Sequence, residues 1–221
     1  MNTRKYGPWL AALLIIAPFI YGALIFPQLP SKIPTHFNIE GKADAWGGPS
    51  SIFIGPGIMG AVSVFVYVLM SNLKSFDPKK YDEANDTLYS NFAVLTVAFL
   101  SMLSLIIIYS STHADQINVG KLILPLVGLS FAGLGWYMPK FKQNYFVGFK
   151  LPWTLENEDN WNETHKLAGK IWKYGGFAQA IAALLLPNRV GFIVFFSITL
   201  IMVIVPSVFS YRMFKRGNTI A

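Results

Sequence analysis

Residues 190–211 read VGFIVFFSITLIMVIVPSVFSY, a run that contains no charged side chain. A membrane-spanning helix needs about 20 consecutive, mostly apolar residues, so this run predicts a helix that crosses a bilayer. Similar runs precede it, and only 13% of the chain is charged, whereas soluble domains carry about a quarter. We therefore expect an all-α, polytopic integral membrane protein that forms one membrane domain over residues 1–221. Its six predicted transmembrane helices lie at about 7–26, 52–71, 88–111, 121–138, 167–186 and 190–211.

The distribution of Lys and Arg orients these spans. An even number of spans places both termini on one side, and segments rich in Lys and Arg face the cytoplasm. With the N terminus inside, every Lys and Arg lies on the inner side except Lys32, Lys42, Lys121 and Arg189. Both termini are therefore expected in the cytoplasm, with an outer loop at 27–50 and a cytoplasmic segment at 139–169.

The net charge of +7 is explained by this basic inner rim, which faces anionic lipid. Direct binding to nucleic acid is therefore not expected. The partner that the spans imply is the lipid bilayer, and the expected location is the cell membrane, crossed several times. The chain has no Cys, which excludes a disulfide framework, a thiolate nucleophile and a Cys-ligated metal.

The outer loop, PQLPSKIPTHFNIEGKADAWGGPS, combines prolines that favour extended backbone with turn residues at Asn38 and Gly41. His36, Glu40 and Asp44 lie close together in it, and a second outer loop carries His113 and Asp115. Imidazole and carboxylate groups can bind metal, but the spacing matches no helical metal motif such as H-E-x-x-H. The alternative is a folded loop in which His36 and Asp44 bond to each other or to the backbone.

The segment at 143–172, QNYFVGFKLPWTLENEDNWNETHKLAGKIW, mixes aromatic and charged residues. From Asn160 the pattern becomes helical, with Asn160 and Glu163 spaced like a capping box and the helix bending into the fifth span. One face is expected to hold Trp161, Thr164, Ala168, Ile171 and Trp172. The segment is either an aromatic hairpin that anchors two spans or a docking surface for a protein or peptide. His165 either titrates or binds a ligand, or bonds to a neighbouring carbonyl or Glu.

Other chemistry has little support in the sequence. No catalytic triad, phosphate loop or cofactor motif is present, and no span carries an ionisable group near its centre, as transporters usually require. Gln179 is expected to bridge helices, and Gly128 with Ala132 forms a small-residue pair for close helix packing. We therefore expect a protein that is not an enzyme and has no cofactor. A membrane enzyme with an outer metal site and a small-molecule carrier or pore remain the alternatives.

Two segments resemble a known family of bacterial membrane proteins. Residues 29–47, LPSKIPTHFNIEGKADAWG, resemble an IPxHFNxxGxxDxWG module that is found near the N terminus of such proteins. Residues 144–172, NYFVGFKLPWTLENEDNWNETHKLAGKIW, resemble the NxxxGxRxPWTLxxxxxWxxTHrxAG signature of the SdpI family. Together with the intervening spans, the resemblance covers nearly the whole chain.

The resemblance implies a toxin-immunity and signal-transduction protein of the plasma membrane. Its family is named for protection against a secreted sporulation-delay toxin peptide, and its best-known member recruits a transcriptional autorepressor to the membrane. A secreted toxin peptide and a small helix-turn-helix repressor are thus the implied partners. The implied outer binding residues are His36, Asn38, Gly41, Asp44 and Trp46, and Pro34 and Phe37 also match the module. The implied inner binding residues are Asn144, Gly148, Lys150, Pro152, Trp153, Thr154, Trp161, Thr164, His165 and Gly169, and Leu155 and Ala168 also match the signature. Lys150 departs from the usual Arg, which keeps the charge but loses bidentate pairing.

Overall fold

The computed structural model describes residues 3–76, 86–113 and 116–218. It is helical apart from one short antiparallel hairpin. The elements are α1 (Thr3–Ile25), β1 (Ile33–Phe37), β2 (Ala43–Gly47), α2 (Ile54–Ser71), α3 (Leu73–Phe76), α4 (Asp86–Thr112), α5 (Gly120–Tyr137), α6 (Pro152–Glu156), α7 (Glu158–Leu185) and α8 (Asn188–Asn218). Single 3₁₀ turns follow α1, precede α2 and follow α5. Asp115 and most of the charged residues predicted between the second and third spans lie outside the described residues.

The helices confirm an all-α, polytopic membrane protein. Within the described residues, five segments are long and apolar enough to cross a membrane: Lys5–Gln28, Pro49–Ser71, Asp86–Thr112, Gly120–Lys140 and Asn188–Arg216. The fifth predicted span, at 167–186, forms the second part of α7. That helix is absent from the five because Lys170, Lys173 and Gln179 interrupt its apolar run. The count of six spans, the cytoplasmic placement of both termini and the single membrane domain stay predictions.

The chain divides into two compact units, of which the first comprises Met1–Leu73 and Glu83–Ile123. In this unit α1, α2 and α4 pack together, and the β1–β2 hairpin is attached to them through a small apolar core. Ile33 of β1 is buried there with Ile52 and Ile108. The Ser111 hydroxyl at the end of α4 also donates to the Pro34 carbonyl at 3.3 Å. The apolar first residue of β1 thus ties the outer loop to the helices.

The second unit comprises Lys74–Asp82 and Leu124–Ala221. In it, α7 and α8 form an antiparallel pair joined by a tight turn. Trp172 Nε1 donates to the Met202 carbonyl at 2.8 Å, and closer to the turn Gln179 Nε2 donates to the Phe195 carbonyl at 2.9 Å. Gln179 bridges helices as predicted. Because α8 is apolar enough to span a membrane, this lengthwise pairing supports the passage of α7 beside it.

Small residues bring α5 against α7. The face of α5 that meets α7 carries Gly128, Ala132 and Gly135. A Cβ added at Gly128 would lie 2.8 Å from both the Ala180 nitrogen and the Gly176 carbonyl oxygen, closer than real Cβ atoms approach. The predicted pairing of Gly128 with Ala132 is confirmed, because only small side chains permit this backbone contact.

Candidate functional site

The outer loop is organised by Asn38, which stands at the end of β1. Its side-chain Oδ1 accepts hydrogen bonds from the backbone N–H of Glu40 at 3.1 Å and of Lys42 at 3.0 Å. Gly41 donates its N–H to the Asn38 carbonyl at 2.8 Å and has a φ of 76°, a left-handed conformation that favours glycine. Both residues, which the family resemblance implies as binding residues, therefore shape the turn between β1 and β2.

The exposed side of this hairpin carries the other implied outer residues. His36 Nδ1 and Asp44 Oδ1 lie 2.5 Å apart on neighbouring strands, and both side chains are open to solvent. The expected alternative of a folded loop with a His36–Asp44 bond is confirmed. Trp46 on β2 is 54% exposed, which leaves a large apolar ring surface open. The structure thus gathers a titratable pair and an exposed indole on one hairpin.

A cavity of about 510 Å³ opens between the hairpin and the segment that precedes α5. Its wall combines an indole, one charge of each sign and two amide side chains, so it offers both apolar and polar contacts. The lining residues are Glu40, Gly41, Lys42, Ala43, Trp46, Gln116, Ile117 and Asn118. Gln116, Ile117 and Asn118 were not singled out from the sequence, because nothing local predicts that their loop meets the hairpin.

The structure does not bring the four proposed metal ligands together. Among the described residues, no group of three or more His, Cys, Asp or Glu side chains is placed to hold a metal ion. The His113 ring nitrogen Nδ1 lies 2.8 Å from the Thr112 hydroxyl and 3.1 Å from the Tyr109 carbonyl, and the ring stacks on Tyr109. His36 and Asp44 alone supply two donors, fewer than a metal site needs.

The inner segment begins with a loop that Asn144 holds together. Its Oδ1 accepts from the backbone N–H of Phe146 and of Val147, each at 2.8 Å, and its Nδ2 donates to the Lys142 carbonyl at 2.8 Å. Asn144 is buried, and its amide replaces the regular backbone bonds that this short loop cannot make. A single buried amide side chain therefore fixes the backbone of the loop in which the signature motif begins.

His165 fastens this loop to α7. The backbone N–H of Phe149 donates to Nε2 at 3.0 Å, so the proton is on Nδ1, which donates to the Trp161 carbonyl at 2.7 Å. Burial lowers the pKa of His165 to about 4, although the bond to the Trp161 carbonyl opposes this shift. Of the two readings of His165, the structure confirms the hydrogen bond to a neighbouring carbonyl.

Gly148 makes this contact possible. Its φ is 111°, and an added Cβ would overlap the His165 ring. Only glycine combines that backbone conformation with so close an approach. Gly148 and His165 are thus two halves of one contact between the loop and the helix.

The helix α7 begins earlier than predicted. Asn157 is its N-cap and accepts from the Asn160 N–H at 2.8 Å, so the predicted cap at Asn160 is wrong. Asn160 is instead buried inside the helix, where its Nδ2 donates to the Ser210 carbonyl at 3.0 Å and its Oδ1 accepts from the Thr164 hydroxyl at 3.1 Å. The helix α7 runs unbroken from Glu158 to Leu185, and its predicted bend into the fifth span stays a prediction.

Trp161 and Thr154 are buried in the inner segment together with Asn144 and His165. The Trp161 indole is fully buried, donates from Nε1 to the Phe141 carbonyl at 2.9 Å and stacks on His165 with ring centroids 3.9 Å apart. The Thr154 hydroxyl donates to the Phe149 carbonyl at 2.6 Å and accepts from the Leu151 N–H at 3.0 Å. The predicted shared face is confirmed for Trp161, Thr164 and Ala168, which are buried, whereas Ile171 and Trp172 are half-buried. Glu163 and Lys166, predicted on another face, are exposed.

The implied inner residues therefore separate into two sets. The interior set is Asn144, Gly148, Thr154, Trp161, Thr164, His165 and Gly169, and Gly169 packs tightly on Pro139. Lys150 and Pro152 are exposed, and Trp153 is half-buried between Tyr211 and Phe214 of α8. Sequence reasoning missed Gln143, which donates to the Thr154 carbonyl at 2.7 Å, and Ser210, whose distance along the chain gave no signal.

Comparison with known proteins gives one family match in each of the two compact units. Residues 140–210 match the SdpI/YfhL protein family, and residues 13–60 match a domain of unknown function (DUF1648). The chain is 22% identical over 209 residues to the Immunity protein SdpI of Bacillus subtilis (strain 168), an alignment that covers 95% of this chain and 96% of that protein. No solved structure matches the chain.

Proposed function

This chain is a multi-pass cell-membrane protein that carries the SdpI/YfhL family segment at residues 140–210, and on that premise we propose that it is an immunity protein. It protects the cell that makes it against a secreted antimicrobial peptide, without enzymatic chemistry. The observation that carries this proposal is the similarity to an immunity protein along 95% of the chain. Because the alignment leaves out only about 5% of the chain, the similarity concerns most of the architecture.

The outer hairpin is the surface that meets the peptide. An exposed Trp46 beside a cavity with Glu40 and Lys42 in its wall offers aromatic, acidic and basic contacts together. Exposed indoles are frequent anchors at protein interfaces. The His36–Asp44 pair adds a polar contact on the same hairpin. This combination suits a peptide that carries both apolar and charged side chains.

The inner segment recruits a transcriptional regulator, the small helix-turn-helix repressor that the resemblance implies. Since seven of the implied inner residues are buried or nearly so, such a partner would contact the exposed positions between them. Lys150 and Pro152 are exposed on the loop and α6, and Asn162 and Lys166 are exposed on the first turns of α7. The buried set would then act by holding these side chains in place.

Protection is tested in a strain that is killed by the sporulation-delay toxin peptide. Cells that produce this chain should survive exposure to the purified peptide, whereas cells with an empty vector should not. Replacement of Trp46 by Ala should reduce survival because it removes the exposed outer indole. Trp9→Ala is the matched control, since Trp9 is 78% exposed but lies on the apolar helix α1. Killing that is the same with and without the chain would contradict immunity against this toxin.

Recruitment is tested separately by imaging a fluorescent copy of the repressor in cells that receive the peptide. The repressor should move to the membrane when the chain is present. The double variant K150A/K166A should weaken this movement while the protein stays in the membrane, because both side chains are exposed. A repressor that stays dispersed with the unmodified chain would refute recruitment and leave the immunity proposal standing.

A further inference from the structure

Two lysines converge on one exposed indole where α5 ends. The Lys140 ammonium lies 5.6 Å from the Trp136 ring centroid, and the Lys173 ammonium lies 4.6 Å from it. Lys173 is also 5.3 Å from the centroid of Tyr174, and Lys140 is 5.1 Å from that of Tyr137. We call Trp136, Tyr137, Lys140, Lys173 and Tyr174 the Trp136 cluster. It joins two elements, because the close approach of α5 and α7 at Gly135 brings Lys173 beside Trp136.

The cluster has positive charge without a matching negative group. In the part of the chain that the structure describes, neither Lys140 nor Lys173 lies within ion-pair distance of a carboxylate. A cation over an aromatic face is attracted by the ring, so the rings hold both ammonium groups near each other despite their repulsion. Each ammonium keeps N–H groups that are free to donate to an anion.

The position of the cluster indicates which anion it meets. The candidate span Gly120–Lys140 ends at Lys140, so the cluster lies at one end of a membrane-crossing helix. Trp and Tyr side chains favour this headgroup level of a bilayer. Trp136 is 57% exposed and Tyr174 is 66% exposed, which leaves apolar ring surface beside the two charges. A lipid offers both matching parts, a phosphate and an apolar glycerol and acyl region.

We propose that the Trp136 cluster is a binding site for the headgroup of an anionic phospholipid. Lys140 and Lys173 donate to the phosphate oxygens, and the exposed faces of Trp136 and Tyr174 contact the glycerol and the first acyl carbons. The charge distribution along the chain places this end of α5 at the cytoplasmic leaflet, where anionic lipids are concentrated. An acidic peptide would match the charges, but it would not require a site at the end of a span.

The test is native mass spectrometry of the full-length protein in detergent, titrated with phosphatidylglycerol or phosphatidylcholine. Phosphatidylglycerol should bind about thirtyfold more tightly than phosphatidylcholine, because no choline ammonium offsets its negative charge and each of the two Lys contributes about 1 kcal/mol of attraction to an anionic lipid. The double variant K140Q/K173Q should lose this preference. The matched control is R212Q/R216Q, which removes two exposed charges from the end of α8 and should keep it. Trp136→Leu, which keeps both charges, should weaken binding about two- to fivefold.

Several results would overturn the proposal. Equal loss in the two double variants would mean that the basic rim acts as a whole, and equal binding of the two lipids would exclude a headgroup site. Displacement of the lipid by soluble glycerol 1-phosphate at comparable concentration would point to a site for a free phosphate. Binding of polyglutamate in place of phosphatidylglycerol, with dependence on Lys140 and Lys173, would point to an acidic protein. Equal thermal unfolding midpoints of all variants would show that the substitutions leave the fold intact, so that a change in lipid binding belongs to the substituted side chains.

Discussion

His165 shows how one buried side chain can hold two segments of the chain together. Both of its ring nitrogens are used, one as acceptor from the loop and one as donor to its own helix. A protonated imidazole could not accept the Phe149 N–H, so the contact exists only with the neutral ring. Neutrality is secured by burial, which keeps the pKa of His165 at about 4.

The stability of the inner segment should therefore depend on pH in a defined direction. The pKa of His165 lies below its ordinary value of 6.5, so the unfolded chain binds the proton more strongly. The free energy of unfolding should be highest above pH 6.5, fall toward about pH 4 and then level off, as far as His165 determines it. The slope contributed by one proton is at most about 1.4 kcal/mol per pH unit.

Thermal unfolding in detergent at a series of pH values measures this slope. The variant H165Q, whose amide does not titrate, should lose that part of the pH dependence. H36Q removes an exposed imidazole on the outer hairpin and should keep it. A slope that persists unchanged in H165Q would assign the pH dependence to another group.

Gly148 should tolerate no side chain. Gly148→Ala combines a strained backbone with overlap of the new Cβ and the His165 ring, and should cost about 1–3 kcal/mol of unfolding free energy. Gly48→Ala is the matched loop control, since Gly48 has a φ of −71° and open space around it. Thermal unfolding of both variants, measured side by side, gives the comparison. Similar stability of the two would mean that the loop can retreat from His165.

The helices illustrate why hydropathy predicts some elements better than others. Long apolar runs at α1, α2, α4, α5 and α8 predict their spans because composition alone carries the signal. The sequence predicts the β1–β2 hairpin only as an extended stretch with turns, because the loop of residues 38–42 is longer than the two-residue turns that mark a hairpin most clearly. The start of α7 was misplaced because two Asn residues three positions apart both suit a cap, and the buried bond to Ser210 decides between them.

The crossing of α5 and α7 makes a prediction at the scale of the element. Gly176→Ala places a methyl group against the backbone of Ala132 on α5, and should destabilise the protein by about 1–3 kcal/mol through overpacking. Gly133→Ala on α5 is the control, because nothing lies within 4 Å of its added Cβ. The thermal unfolding midpoint should fall for the first variant and stay or rise slightly for the second. If both midpoints stay unchanged, α5 and α7 can move apart without a loss of unfolding free energy.

At the scale of the whole molecule, the two family matches fall in different compact units. The domain of unknown function at 13–60 lies within the first unit, and the SdpI/YfhL segment at 140–210 lies within the second. The implied outer residues all belong to the first unit and the implied inner residues all belong to the second. Each unit thus holds one of the two polar regions to which the resemblance gives a binding role.

Membrane topology is open to a direct test because the chain has no Cys. Single Cys residues introduced at Glu40 and Arg189 should react with an impermeant maleimide in intact cells. Single Cys residues at Glu156 and Thr219 should react only after the membrane is permeabilised. This pattern requires α7 to cross the bilayer. Labelling of Thr219→Cys from outside, with Arg189→Cys protected, would instead mean that α7 stays on the inner side.

The sequence located the candidate sites better than it described them. The motif letters identified Asn144, Thr164 and His165 correctly as members of one region, but polar residues at a membrane surface were expected to face partners. Their burial depends on hydrogen bonds to the backbone carbonyl groups of Lys142, Trp161 and other residues, which no local sequence pattern predicts. The cavity beside Trp46 was equally hidden, since its second wall comes from another loop.

The buried signature network has a consequence for how such chains diversify. Most letters that define the motif hold the backbone, whereas several positions written as x in it, such as Tyr145, Glu156 and Asn162, are exposed. Substitution at these positions can change what is recognised without disturbing the scaffold. Two chains with the same signature can therefore bind different molecules. Their specificities should be compared at the exposed x positions of the motif.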